Sequence, residues 1–475
     1  MSATPSPAFL DTLADLLGPR GFTTAPADLA PWLTDWRGRI TGAAAALLSP
    51  ADAAETQAIV RLAAEAGVPL VPQGGNTSMV AGATPDASGH ALIVSTRRMR
   101  AIRSLSPDDN VAVAEAGVIL ADLHDAAEAQ GRRFPLSLAA KGSATIGGLV
   151  STNAGGTQVL RFGTMRALVL GIEAVLPSGG LFDGLSALRK DNRGYDLRQL
   201  LAGAEGTLGI VTAASLRLVP AAAARSVAWV GLDDTEAALT LLRRIEARLG
   251  DTIESFEIVP AEALRLVLAH VHGTRAPLAG AHPWNLLIEA TAPEGAADPR
   301  DALTAVLGDA IEAGLVQDAT VAASEAQADA LWKLRESVSE AERVDGVAAK
   351  HDVALPVSAM PRFLVAGADT VERRFPGVRV LAFGHLGDGN VHFNVRAPLG
   401  ADDRAWLAAE GAAISAFVHD LVGVEGGSLS AEHGIGQTKL AEFVRTASPA
   451  RLGALRAIKA ALDPAGIMNP GKLLP

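Results

Sequence analysis

The sequence predicts an α+β fold built from two large units. Three observations lead there. Helical segments with apolar residues on one side alternate with short β-branched runs, glycine clusters where apolar strands end, and the pattern changes character after residue 220. A length of 475 residues fits two or three domains. Hydrophobic residues make up 49% but aromatics only 4%, so Ala, Leu and Val must fill most of the core.

The elements read in order as follows. "PSPAFLDTLADLLG" is a short helix, and "PADAAETQAIVRLAAEAG" is a helix with Ile59 and Leu62 on one side. "VPLVPQGGNTS" is a strand running into a glycine turn. "ALIVSTRRM" and "NVAVAEAGVIL" are strand-like, and "LADLHDAAEAQG" is a helix stopped by Gly131. "LVLGIEAVLPSGGLF" reads as a hairpin and "EGTLGIVTAASLRLVP" as a second glycine turn entering a strand. "VPAAAARS" marks a boundary, beyond which helices such as "DTEAALTLLRRIEARLG" alternate with strands such as "WNLLIEAT". The divisions expected are 1–220, 221–430 and a segment 431–475 that folds back on the first unit, since "LDPAGIMNPGKLLP" has its path set by Pro and Gly.

Composition excludes several classes. The net charge of −11 with no basic, aromatic-studded stripe argues against a nucleic-acid partner. The absence of cysteine removes disulfides, thiolate metal sites, iron–sulfur clusters and cysteinyl cofactor links. The N-terminus lacks a basic region and carries Asp11 and Asp15, unlike a signal peptide. No apolar run reaches the length of a membrane span, so a cytoplasmic protein is expected.

In "PQGGNTS" two glycines precede Asn76, Thr77 and Ser78. Backbone N–H groups converging in such a turn bind phosphate oxygens. The pattern is not G-x-G-x-x-G and no long helix follows directly, which disfavours a Rossmann unit. "GSATIGGLVSTNAGG" is nearly all small residues, which let backbone approach a flat ligand. Together with "AEGTLGIVT", these stretches resemble, in order, the FAD-binding domain of the vanillyl-alcohol-oxidase type. Within that type the chain is most similar to the FAD-dependent D-2-hydroxy-acid dehydrogenases. The resemblance implies a two-subdomain FAD domain followed by an α/β cap domain. It implies that Gln73, Gly74, Gly75, Asn76, Thr77 and Ser78 hold the pyrophosphate. The same resemblance lines the rest of the cofactor with Gly82 and Pro135, with Gly142, Ser143, Thr145, Gly147 and Gly148, and with Ser151, Thr152 and Asn153. Glu205, Gly209, Ile210 and Asn469 complete that set. Ala81 departs from the glycine common in the family.

"FGHLGDGNVHFNV" carries two histidines around Asp388-Gly389, a strong two-residue turn signal. A hairpin centred there pairs His385 with His392 directly, on one face, with Cβ atoms roughly 4.5–5.5 Å apart. Asn394 projects from the same face. "SAEHGIGQTK" adds Glu432 beside His433. Two imidazoles and a carboxylate suit zinc, manganese or iron. The resemblance gives His385, His392 and Glu432 the role of metal ligands and His433 that of the active-site base.

A flavin beside a metal suits a 2-hydroxy acid, chelated through carboxylate and hydroxyl, losing a proton to His433 and a hydride to the flavin. "SEAQADALWKLRESVSEAERV" reads as a capped helix with Arg335 and Ser339 four apart, and "AAKHDVALP" as a strand with Lys350 and Asp352 on one face. The D-2-hydroxyglutarate branch of the family implies that Arg335, Ser339 and Lys350 clamp a distal carboxylate, with Asn394 also on the substrate; Ser339 replaces a threonine there. The expected substrate is D-2-hydroxyglutarate, with D-lactate, D-malate or glycolate as alternatives and an electron-relay subunit as the rival class. An electron-transfer flavoprotein or a quinone is the expected acceptor, and a homodimer is among the assemblies the sequence allows.

Overall fold

The computed structural model describes residues 3–475. The chain divides into two compact units. The first holds the residues up to Gly156, Gly163–Pro220 and Glu432–Pro475; the second holds Thr157–Phe162 and Ala221–Ala431. The sequence reading keeps 157–162 in the first unit. Instead Arg161 Nη1 bonds Glu254 Oε1 at 2.8 Å and Ser255 Oγ donates to the Thr157 carbonyl at 2.6 Å, which ties this segment to strand Ile253–Pro260.

The first unit contains two main sheets. Strand Leu70–Gln73 pairs in parallel with Leu92–Ser95, which pairs in parallel with Ala46–Leu48; Phe22–Thr23 closes the edge. Helix Ala53–Ala66 starts at Asp52, whose carboxylate accepts the Glu55 N–H, and stops at Gly67 in the left-handed region. It buries Ile59, Val60 and Ala63. A five-stranded sheet, antiparallel throughout, includes the hairpin Val169–Val175 with Leu181–Gly184. The C-terminal segment returns to this unit. Leu70 N–H donates to the Ile467 carbonyl and Asn469 N–H to the Leu70 carbonyl, both at 2.8 Å, while Ile467 and Met468 are buried beside Leu70.

The second unit is built on a seven-stranded antiparallel sheet. Strand Asn390–Arg396 lies between Arg379–His385 and Ala348–Ala354. Its sequence alternates. Val391, Phe393 and Val395 enter a large apolar core shared with helices Thr235–Leu249, Pro299–Glu312 and Asp403–Val424, whereas Asn390, His392, Asn394 and Arg396 occupy the other face. Helices Glu325–Glu336 and Val338–Val344 cover part of that second face through Leu331, Trp332, Leu334, Val338 and Ala341.

Against the sequence reading, Asp403–Val424 is long and apolar enough by length and composition to cross a membrane. Its valines, leucines and alanines raise its mean hydropathy. It also carries Glu410 and Asp420, and lays Gly411, Ile414, Val418 and Val422 inward as a core-facing stripe.

Phe393 is fully buried, so Phe393→Ala should destabilise the second unit by about 3–5 kcal/mol. Denaturant unfolding followed by tryptophan emission checks this.

Candidate active site

In the first unit, strand Leu70–Gln73 ends at Gly74 and Gly75. A Cβ on Gly74 would lie 2.1 Å from Thr145 Oγ1, and one on Gly75 would lie 1.9 Å from the Ser143 carbonyl. Only glycine lets these two stretches lie so close. Asn76 takes φ 52° and its Nδ2 donates to the Thr34 carbonyl at 2.9 Å. Among the described residues, the Gly75, Asn76 and Thr77 amides donate to no protein acceptor. Thr145 Oγ1 is buried without a partner. Successive amides without a protein acceptor beside a glycine cradle fit a pyrophosphate.

Other residues expected at the cofactor frame the cradle. Gln73 Nε2 donates to the Trp32 and Ala83 carbonyls at 3.1 and 2.7 Å, and Ser78 Oγ accepts the Gly82 N–H at 3.0 Å. The 142–156 stretch is partly helical, with Ile146–Thr152 ending at Asn153 in the left-handed region. Gly147 abuts Ala116, where a Cβ would clash at 2.6 Å, while Gly148 lies near Thr145 Oγ1 and Gly142 is open. The Ser151 carbonyl accepts the Glu205 N–H, Thr152 Oγ1 donates to Gly148, and Asn153 Oδ1 accepts the Arg166 N–H. Pro135 is buried, and Gly209 lets Ile210 start its strand against Val175.

Glu205 has φ 52° and a buried carboxylate that accepts the Ile435 and Gly436 N–H groups at 2.8 and 2.7 Å. Burial pushes this carboxyl up, and the two amide bonds oppose the shift. Asn469 Nδ2 donates to the Gly82 and Glu205 carbonyls at 2.9 and 2.7 Å. Glu205 and Asn469 therefore tie the glycine turns to the C-terminal segment.

The polar face of the second unit is ordered in rows by strand register. Glu257 opposes His385, which opposes Asn390; Phe383 opposes His392, which opposes Asp352; Leu381 opposes Asn394, which opposes Lys350. The expected direct pairing of His385 with His392 is thus corrected by two residues. The turn spans 386–389: the Asp388 and Gly389 amides both donate to the His385 carbonyl, and Asp388 Oδ1 accepts the Asn390 N–H at 3.0 Å. A two-residue turn cannot form those bonds. The shift is even, so both imidazoles keep the same face, as diagonal neighbours. Their ring centroids are 5.3 Å apart, edge to face. Burial pushes the Asp388 carboxyl up to about 6.

Buried acids hold several of the bases on this face. His385 Nδ1–H donates to Glu257 Oε1 at 2.6 Å, and Arg335 Nε donates to Glu257 Oε2 at 2.9 Å. Burial pushes the Glu257 carboxyl up, but the charges of His385 and Arg335 outweigh this and hold it below the usual range. Arg335 also stacks over Phe383 at 5.1 Å. Lys350 Nζ and Asn394 Nδ2 donate to Glu342 Oε2 at 2.6 and 2.8 Å. Asn390 Nδ2 donates to Asp352 Oδ1 at 2.9 Å. Between Arg335 and Ser339 the helix is interrupted at Ser337; Arg335 is buried and Ser339 is exposed on the following helix. Ala431, the last residue of this unit, donates its N–H to the Asp352 carbonyl at 3.3 Å, and half-buried Glu432 and His433 come next in the chain.

Sequence reasoning missed Glu257 and Glu342. A carboxylate inside the apolar run "SFEIVP" is a usable signal for Glu257. Glu342 sits among other charged residues in "SEAERV", which hides it.

The model of the C-terminal domain of FAD linked oxidases matches residues 221–473, and that of the FAD binding domain matches 44–184. Relatives named D-2-hydroxyglutarate dehydrogenase include a mitochondrial protein of Bos taurus, 38% identical over 95% of this chain and 81% of its own length. A protein of Stutzerimonas stutzeri with that name is 36% identical over 98% and 99%. The chain belongs to the family of FAD-linked hydroxy-acid dehydrogenases. Solved p-cresol methylhydroxylase with substrate bound superposes with a TM-score of 0.76 at 16% identity, over 98% of this chain and 96% of that one. The 4-ethylphenol oxidase of Gulosibacter chungangensis gives 0.71 at 17%, over 99% and 98%. These likenesses show the vanillyl-alcohol-oxidase-type fold. The enzyme is a flavoprotein with FAD as cofactor.

Glu205→Ala would strand two buried amides. It should cost about 1–3 kcal/mol and weaken FAD retention, seen as a lower melting temperature and flavin loss on gel filtration.

Proposed function

We propose that the enzyme oxidises D-2-hydroxyglutarate to 2-oxoglutarate. Relatives that match nearly the whole chain at 36–38% identity carry that activity in their names. The geometric observation that carries the reading is the polar face of the second unit. It gathers two imidazoles, two amides and the cations Arg335 and Lys350 on adjacent strand rows and the helix above them.

We assign a divalent ion to the imidazoles of His385 and His392, with Glu432 as the carboxylate expected to complete the donor set. Fit to a divalent ion is supported within the second unit by the Glu257 carboxylate on His385 Nδ1. That bond orients the ring and makes Nε2 the nitrogen that would face an ion, the arrangement common to metal-bound histidines. Zinc, manganese or iron suits such a set, and an ion there would supply Lewis acidity toward the substrate's C2 hydroxyl. FAD supplies the two-electron acceptor.

The chain's own groups do the rest. His433 takes the hydroxyl proton, which a neutral imidazole does near neutral pH. The C2–H bond breaks with its electron pair, and the C2–O bond becomes a carbonyl. Lys350, with Asn394 beside it, faces the distal carboxylate, for which a charge-assisted bond offsets lost hydration. Arg335 serves both ends, because it also holds Glu257 and through it His385. The reduced enzyme then passes its electrons to a separate acceptor; an electron-transfer flavoprotein or a quinone fits the two-electron chemistry.

Anaerobic mixing of the holoenzyme with a panel of 2-hydroxy acids tests this. D-2-Hydroxyglutarate should bleach the flavin fastest, and chelation or His392→Ala should stop bleaching with FAD still bound. Faster bleaching by D-lactate would replace the substrate assignment, and full activity in metal-free protein would remove the metal.

A further inference from the structure

We propose that Glu342 determines specificity: it is a built-in anion that occupies Lys350 and Asn394 and weakens the site's hold on a distal carboxylate. The inference rests on the reading that this row receives the far end of the substrate.

Glu342 comes from helix Val338–Val344 and is fully buried. One of its oxygens, Oε2, accepts from Lys350 Nζ at 2.6 Å and from Asn394 Nδ2 at 2.8 Å. Those donors lie directly opposite one another on neighbouring strands, one row beyond His392 and Asp352. The other oxygen, Oε1, is buried and has no partner. A carboxylate serving only as a brace would have both oxygens satisfied, because an unmet buried acceptor is costly. An apolar residue of similar size would pack the same space with no charge to compensate.

The charge balance of the face points the same way. Arg335 is matched by Glu257, and Arg396 and Arg379 are matched by Asp345, which sits one turn beyond Glu342. Lys350 is the one cation of its row, and its side chain remains 28% exposed while Glu342 is at 0%. An incoming anion therefore meets an ammonium whose charge is already compensated from behind. Like charges in such proximity repel, and a buried pair is little screened. Glu342 lowers the premium for a second carboxylate, so the enzyme discriminates weakly between a dicarboxylic substrate and a short monocarboxylic one.

The test compares binding of 2-oxoglutarate and pyruvate to the oxidised holoenzyme, read by perturbation of the flavin spectrum. The two 2-oxo acids share the reacting end and differ in the distal carboxylate. Glu342→Gln keeps the shape and removes the charge. It should tighten 2-oxoglutarate by about tenfold, the effect of one unscreened charge interaction of modest strength, and change pyruvate by less than about twofold. Charge-retaining Glu342→Asp should keep the wild-type preference, and Glu342→Leu serves as a second neutral variant. Neutral variants that retain FAD and a wild-type melting temperature but leave the Kd ratio unchanged would overturn the proposal. Lys350→Met separates the two ideas. If it abolishes the preference while Glu342→Gln does not raise it, only the role of Glu342 falls. If it leaves the preference untouched, the distal carboxylate binds away from this row and the proposal falls while the substrate assignment stands; a wild-type enzyme and Glu342→Gln that both bind pyruvate as tightly as 2-oxoglutarate would overturn the substrate assignment itself.

Discussion

The parity of one strand governs the chemistry of the second unit. Asn390–Arg396 is hydrogen-bonded on both sides, and its alternate residues are as different as residues can be. Val391, Phe393 and Val395 fill the core, and a slip of one residue would drive His392, Asn394 and Arg396 into it. The hydrophobic core thus fixes which face receives the imidazoles and amides. It does so without any interaction at the site itself. The four-residue turn at 386–389 then sets the diagonal spacing of His385 and His392, through Asp388 and the amides bonded to the His385 carbonyl.

Buried acids do the second half of the work. Glu257, Glu342 and Glu205 are each enclosed, and each is bonded to groups that need orienting. Glu257 fixes the His385 ring and Arg335, Glu342 fixes Lys350 and Asn394, and Glu205 fixes the turn of Gly434–Gly436. Buried charges add little net stability relative to apolar packing, so their value here lies in orientation and, for Glu342, in the charge it sets against an incoming anion. Removing any one of them leaves its partners charged or unmet in a dry place, which is why such positions are sensitive.

Much of this was legible in the sequence because period and composition report directly on burial. The shared face of His385 and His392, the helix at 50–67 with Ile59 turned inward and the hairpin Val169–Val175 with Leu181–Gly184 each follow from residues close in the chain. What was not legible depends on partners distant in the chain. Nothing near Ser337 announces that the helix is interrupted there between Arg335 and Ser339. The turn register is accompanied by a hydrogen bond from the Asn390 N–H to the Asp388 side chain, which the Asp-Gly pair alone does not imply. The excursion of Thr157–Phe162 into the second unit depends on Glu254, almost a hundred residues later. The acids that pair the active-site bases come from other strands and helices, and a glutamate in a charged helix looks the same whether it faces water or the core.

The central proposal is that the polar face of the second unit's sheet holds a metal through His385 and His392. X-ray absorption at the metal edge of the zinc-loaded enzyme tests it most directly. The account predicts multiple-scattering features of two imidazoles, with first-shell distances of about 2.0–2.1 Å, falling to one imidazole in His392→Ala. A shell of oxygen donors alone in the wild-type enzyme would contradict it.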